Sequence, residues 1–245
     1  MALITDEGIA TPEELRRHES GVYEVASAEG IDLGAKLALG QEEIRVELTG
    51  LLFAAEPEQI ERVVVTPPLR LWLLYHSLTL VYRDAYGSHL NERYLKKKLE
   101  YEALAGWAKR RLLGTGVGMT GTPIPKAGRP SVVEVPSAAG GGSYWVRTSW
   151  VGANGEEGCP SDAISVTTDP GKGLQVRVGP APASATGWNA YVGRSAEECR
   201  LQNGAPLALD ESWTEPETGL SEGPVAGEGQ KPQWYRRLER RLQRG

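Results

Sequence analysis

The stretch Gly114-Thr115-Gly116-Val117-Gly118-Met119-Thr120-Gly121-Thr122-Pro123-Ile124-Pro125-Lys126-Ala127-Gly128-Arg129-Pro130 divides this chain into two texts of different period. Glycine and proline recur so closely that neither a helical nor a strand pattern runs through it, which predicts a linker over residues 116–130. Before it, apolar residues return at spacings of three and four; after it come short β-branched and aromatic runs separated by turn signals. The expected fold is therefore α+β and multidomain: an α-helical bundle over 1–115, the linker, an antiparallel β-sandwich over 131–220, and a C-terminal tail over 221–245.

Working toward the N-terminus, Asn91 is placed to cap a helix bearing Tyr94, Leu95, Tyr101, Leu104, Ala108 and Leu112, with Gly114 at its end. Thr66-Pro67-Pro68 opens the strongest helical stretch, in which Leu71, Leu74, Leu78 and Val81 share one side, and which should end near residues 86–88. Asp32 is placed to cap a helix carrying Leu33, Leu37, Ile44, Leu48, Leu51 and Leu52, weakened by Gly34 and Gly40. Thr11-Pro12-Glu13-Glu14 is a capping-box start, and the first helix is expected to run to about Ser27.

Toward the C-terminus, strands are expected over 131–135, 143–151, 162–168, 173–178, 187–192 and 212–215. Ala153-Asn154-Gly155-Glu156 carries the Asn-Gly pair that accepts positive φ at both central positions, so the second strand should turn back there. In the tail, Trp234, Leu238 and Leu242 are four residues apart among Arg236, Arg237, Arg240, Arg241 and Arg244. A short helix would present one apolar stripe flanked by cations, too short to be stable alone, and so should order against a partner.

Composition bounds the function. The 245 residues are 40% apolar and 24% charged, a globular balance. No apolar run approaches the roughly 20 residues of a membrane span, and Asp6 and Glu7 stand where a secretion signal has a basic segment, so neither feature is expected. Cys159 and Cys199 lack metal or redox spacing; reduced thiols are the simplest reading, a single disulfide the other. Seven Trp and nine Tyr against one Phe fit interfaces, or equally a half-buried sheet face. The net charge of -5 hides a partition: residues 1–60 hold 13 acids and 4 bases, 61–113 hold 5 and 10, 114–230 hold 13 and 7, and 231–245 hold 1 and 6. Such asymmetry suits self-association or separate solvated faces.

No catalytic constellation emerges, and the chain is expected not to be an enzyme. His18, His76 and His89 belong to no metal-ligand motif, no serine sits in a nucleophile elbow, and no cofactor or metal is expected. The alternating glycines of 114–121 lack the Gly-Lys-Ser/Thr ending of a phosphate loop and follow a helix where such a loop would precede one. Arg93, Lys96, Lys97, Lys98, Lys109, Arg110 and Arg111 make the fourth helix basic, yet three successive lysines fan over about 200° and cannot follow one phosphate track. They are candidates for a subunit interface or for nonspecific DNA contact in a channel.

Pro67-Pro68-Leu69-Arg70-Leu71-Trp72, Leu80-Val81-Tyr82-Arg83-Asp84-Ala85-Tyr86, Leu90-Asn91-Glu92-Arg93-Tyr94 and Tyr101-Glu102-Ala103-Leu104-Ala105-Gly106-Trp107-Ala108 together resemble helical proteins of tailed-bacteriophage head and neck modules. The resemblance covers roughly residues 1–120. It implies a head-to-tail connector (adaptor) in the virion neck, assembled in the bacterial host cytoplasm as a ring, twelve copies in the family, beneath the portal. Its implied partners are further copies of itself, the portal protein, a tail or stopper protein, and the double-stranded DNA passing through. It also implies portal docking by a C-terminal segment, here Trp234, Tyr235, Arg236, Arg237, Leu238, Arg240, Arg241 and Leu242. In the second half, Tyr144–Val151 with Asn154-Gly155-Glu156 and Pro160-Ser161 is similar to the last hairpin of fibronectin type III or immunoglobulin-like modules. Ala185-Thr186-Gly187-Trp188-Asn189-Ala190-Tyr191-Val192-Gly193 is similar to their third strand. These matches occur in reversed order, so either the sandwich is rearranged or one correspondence is false. The rival expectation is a tail or surface module whose sandwich recognises carbohydrate or a receptor.

Overall fold

The computed structural model describes residues 1–137 and 141–237. Its described residues divide into two compact units, one of residues 4–121 with 232–237, the other of residues 1–3, 122–137 and 141–231. The β-rich unit is thus inserted in the sequence of the helical one.

In the helical unit, α1 (Pro12–His18) begins on the expected capping box: Thr11 Oγ1 accepts from Glu14 N (3.4 Å) and Glu14 Oε2 from Thr11 N (3.0 Å). It stops nine residues before Ser27, the expected end. Glu19 takes an extended conformation, Gly21 starts α2 (Val22–Glu29), and Gly30 ends it at φ 66°. The expected single helix is therefore two, broken where Glu19 turns its carboxylate to Lys97 and Tyr101. The helix α3 (Leu33–Leu52) is capped by Asp32, whose Oδ1 accepts from Ala35 N at 3.0 Å, and runs unbroken through Gly34 and Gly40. Gly40 is buried, and a Cβ there would lie 2.6 Å from Ser77 Oγ, so the small residue permits the close approach of the segment that carries Ser77. A 3-10 helix (Pro57–Arg62) follows, which local periodicity did not announce.

The longest apolar run became the centre of the unit. In α4 (Pro67–His89), Leu69, Trp72, Leu73, Leu74, Leu78, Leu80, Val81, Tyr82 and Ala85 are all buried, which wraps apolar surface around the helix. Leu90 closes it in the left-handed conformation at φ 51°, and Asn91 caps α5 (Glu92–Thr115) by accepting from Arg93 N at 3.0 Å. The terminal glycine with positive φ is Gly116 (φ 101°, ψ 154°), two residues beyond the expected Gly114 and outside the left-handed helical conformation expected there. Buried Tyr101, Ala105, Ala108 and Leu112 form the inner face of α5.

The expected linker holds a strand, β1 (Val117–Met119), fully buried. Its partner is the second departure from expectation: Trp234–Arg236 is not helical but a strand, β9, antiparallel to β1 with Gly118 opposite Tyr235.

The β-rich unit has two antiparallel sheets. One orders β2 (Ser131–Pro136), β5 (Lys172–Arg177) and β8 (Trp213–Thr214) as β2-β5-β8. The other orders β3 (Gly142–Val151), β4 (Ile164–Thr168), β6 (Gly187–Gly193) and β7 (Arg200–Leu201) as β4-β3-β6-β7. Six of these lie where expected within two residues; the short β7 was not foreseen. One core takes side chains from both sheets: Tyr144, Val146 and Trp150, Trp188, Ala190 and Val192 from one, Leu174, Val176 and Trp213 from the other. The chain does turn back after β3, with Val151 bridged to Glu157, but only Gly155 (φ 80°) has positive φ; Asn154 does not. A three-residue loop, with Gly155 N donating to Gly152 O at 3.0 Å, replaces the expected two-residue turn.

Candidate assembly interface

The C-terminal segment is held on the helical unit by its backbone. Gln233 N donates to Met119 O (2.8 Å), Gln233 Oε1 accepts from Gly121 N (2.7 Å), and β9 continues the pairing. Two glycines make this approach possible. A Cβ on Gly118 would meet Pro232 Cγ and Thr66 Cγ2 at 2.8 Å, and one on Gly116 would meet Tyr235 Cβ at 3.1 Å. The glycines that read as a flexible linker are thus packing positions, and the alternating apolar residues Val117 and Met119 between them were the available signal of a strand.

This seat leaves Trp234 (42% exposed) and Tyr235 (55%) at the surface. Arg236 folds back, its guanidinium 4.8 Å from the Phe53 ring centroid and 3.8 Å from Glu56, while Arg237 is exposed. Leu238, Arg240, Arg241 and Leu242 lie outside the described residues, so the docking segment read from the sequence is represented here by residues 234–237.

The cations of α5 separate into two sets. Lys97 pairs with Glu19 (2.8 Å), Lys98 with Glu102 (2.7 Å), and Lys109 with Glu47 while also lying 5.6 Å from the Trp72 ring centroid. Arg93, Lys96, Arg110 and Arg111 are exposed and have no ion-pair partner among the described residues; Arg111 lies over Trp107 at 5.7 Å. The sequence did not distinguish these sets, because two of the pairing carboxylates, Glu19 and Glu47, sit on distant elements.

Glu19 is the hub of the most developed polar cluster. It accepts from Tyr101 OH (2.8 Å) and pairs with Lys97, and Tyr101 stacks on Tyr82 (5.7 Å) and Tyr75 (6.3 Å). Burial pushes the Glu19 carboxyl up, but the bonds from Lys97 and Tyr101 with the Lys97 charge outweigh it and hold the group below the ordinary carboxylate range. The Tyr101 and Tyr82 phenols are raised, by burial first and then by the Glu19 charge. An open cavity of about 250 Å³ beside them is lined by Glu19, Glu24, Tyr82, Arg93, Tyr94 and Lys97. With its acid and base already joined, the cluster fixes α1, α4 and α5 together and offers no poised acid–base pair.

His76 and His18 are likewise engaged: His76 Nε2 lies 2.6 Å from Glu43 Oε2, joining α4 to α3, and His18 packs edge-on to Tyr75, while the His89 side chain lies outside the described ones. Among the described residues no three His, Cys, Asp or Glu side chains gather as a metal site. Nor is any helix among them long and apolar enough to cross a membrane.

In the β-rich unit the partly buried Glu157 and the buried Glu215 meet neutral donors. Glu157 Oε1 accepts from Tyr191 OH (2.5 Å), Asn189 Nδ2 (3.2 Å) and the Ser149 hydroxyl, and Asn203 Nδ2 donates to Asn189 Oδ1 (2.9 Å). Glu215 accepts from Tyr144 OH (3.1 Å) and Leu174 N (3.2 Å). Burial, then Glu157, raises the Tyr191 phenol; burial also raises the Cys199 thiol, which donates to Trp145 O at 3.5 Å. Such networks fix strand order. No family model, curated protein or solved structure matches the chain.

Proposed function

We propose that this chain is a structural component of a bacteriophage virion, a head-to-tail adaptor that forms a ring below the portal and extends the DNA channel. The observation that carries the reading is the return of the chain to its helical unit at residues 232–237. There β9 pairs with β1, sets Trp234 and Tyr235 at the surface, and launches the arginine-rich end. Half-exposed aromatics beside arginine are the composition of interface anchors. Backbone pairing fixes where they start, and repetition round a ring multiplies whatever each copy contributes.

The β-rich unit we read as an immunoglobulin or fibronectin III-like sandwich serving adhesion or reinforcement. Pairing order supports this: β4-β3-β6-β7 matches the family's sheet with its third strand beside its sixth, and β2-β5 matches the inner pair of the other sheet. In that reading β3 takes the third-strand place and β6 the sixth, the reverse of what their local text resembles. The chain departs from the family at β8, which lies beside β5 but follows β7 in sequence.

The test is retention on immobilised portal protein encoded in the same genome. Removing residues 238–245, or making Trp234→Ala with Tyr235→Ala, should abolish retention while circular dichroism stays unchanged. Undiminished retention refutes the docking role. Saturable binding of a glycan by the monomer would favour the surface-module reading instead.

A further inference from the structure

The chain holds two Asn-Gly pairs, Asn154-Gly155 and Asn203-Gly204, both in the β-rich unit. Asparagine is chemically labile, and most so before glycine: the next backbone nitrogen can attack the side-chain carbonyl carbon, and glycine puts no Cβ in its way. Neither glycine is shielded, since a Cβ built on either would find nothing within 4 Å. As text the two pairs are equivalent; the fold makes them different.

Asn203 is half-buried and held at both ends of its amide. Its Oδ1 accepts from Ala190 N (2.8 Å), while its Nδ2 donates to Asn189 Oδ1 (2.9 Å) and Ala205 O (2.8 Å). Turning Cγ onto Gly204 N would break all three bonds, and the two that reach Ala190 and the buried Asn189 lie away from solvent, where water cannot readily replace them.

Asn154 stands in the exposed loop 153–155 that follows β3. Its amide makes one hydrogen bond among the described residues, from Nδ2 to Glu156 Oε1 at 3.2 Å, and that bond is exposed. The attacking nitrogen, Gly155 N, donates to Gly152 O at 3.0 Å, a bond that closes only the loop itself. Little but solvent therefore opposes the rotation that deamidation needs.

We propose that Asn154 is a site of spontaneous deamidation in the folded protein, and that the fold protects Asn203 from the same reaction. The Gly155 amide loses its proton to base, its nitrogen bonds to Asn154 Cγ, and the Cγ–Nδ2 bond breaks as ammonia leaves with a proton from water. The five-membered succinimide then takes up water at one carbonyl or the other, giving aspartate or isoaspartate. Either product sets a carboxylate where Nδ2 met Glu156, so an attraction becomes a repulsion. Isoaspartate also lengthens the backbone of the loop that closes the bridge between Val151 and Glu157, and Glu157 is where Tyr191, Asn189 and Ser149 converge. Ageing at one exposed turn thereby reaches the polar network of the sheet. This chemistry is independent of the proposed adaptor role.

The test incubates the full-length protein at neutral and mildly alkaline pH, folded and in urea, then digests it at acid pH for mass spectrometry of the peptides carrying residues 154 and 203. In the folded protein Asn154 should convert at least about tenfold faster than Asn203, because two shielded hydrogen bonds, each worth roughly fivefold in rate, hold only the latter. In urea the two rates should converge, since only local sequence then governs them. Asn154→Gln should remove the faster signal, read as isoaspartate by enzymatic methylation, and leave the slower one. Equal rates in the folded protein, a faster Asn203, or an Asn154 that converts only in urea or not at all would overturn the proposal.

Discussion

The two units handle their carboxylates differently. In the helical unit, two acids tie one helix to another by meeting cations, Glu14 holding Arg70 through two bonds of 2.8 Å and Glu19 holding Lys97, while Glu43 meets the His76 imidazole. In the β-rich unit, Glu157 and Glu215 are surrounded by hydroxyl, amide and backbone donors, with Glu215 only 5% exposed. Charged partners near the surface are weakened by salt and acid, whereas neutral donors round a buried carboxylate respond chiefly to loss of the acceptor. One unit should therefore be sensitive to the medium, the other to substitution.

The largest effect expected is from Glu215→Ala, which strands the Tyr144 hydroxyl and the Leu174 amide in the core of the β-rich unit. A loss of about 3 kcal/mol is predicted, read by chemical denaturation, with lost amide protection concentrated in residues 122–231. A change below about 0.5 kcal/mol would mean that the network does not hold this core.

Alkaline pH should act on both units alike. Tyr82, Tyr101 and Tyr191 all have phenols raised in the folded state, so their stabilising contribution is complete below the ordinary tyrosine value near pH 10 and is lost as pH rises above it. Phenolate absorbance should show these three ionising only as the chain unfolds. Ionisation of all nine tyrosines at the ordinary value in the folded protein would contradict the burial described.

Acid and salt should then separate the units. Because the Glu19 carboxyl is lowered on folding, its contribution is present above the ordinary carboxylate range and disappears as pH falls through its own lower value. Lys97→Ala should cost up to about 1 kcal/mol at neutral pH and low salt, and nearly nothing at acid pH or high salt. An equal cost under all conditions would show that packing of the lysine stem, not charge, is what matters. The smallest effect belongs to Lys98→Ala, which removes a pair with Glu102 within one helix: about 0.3 kcal/mol.

The same contrast between local and distant partners governs how much was legible in the sequence. Caps at Thr11, Asp32 and Asn91, and most strands of the β-rich unit, are local matters of side chain and period, and they stand where the text puts them. The break at Glu19 was missed because its cause, Lys97 and Tyr101, lies some 80 residues away. The spacing of Trp234, Leu238 and Leu242 satisfies a helix, yet Trp234 is in a strand because the β1 edge, more than 100 residues earlier, offers backbone pairing. Of the candidate interface cations, the sequence supplied the list but not the division between those neutralised at home and those left outward.

The proposed adaptor role requires that the segment beginning at Trp234 meet another subunit. Electron microscopy of the full-length protein mixed with portal from the same genome tests that most directly. The account predicts closed rings on one end of the portal, each copy seated through the segment beginning at Trp234; portals left bare beside monomeric protein would contradict it.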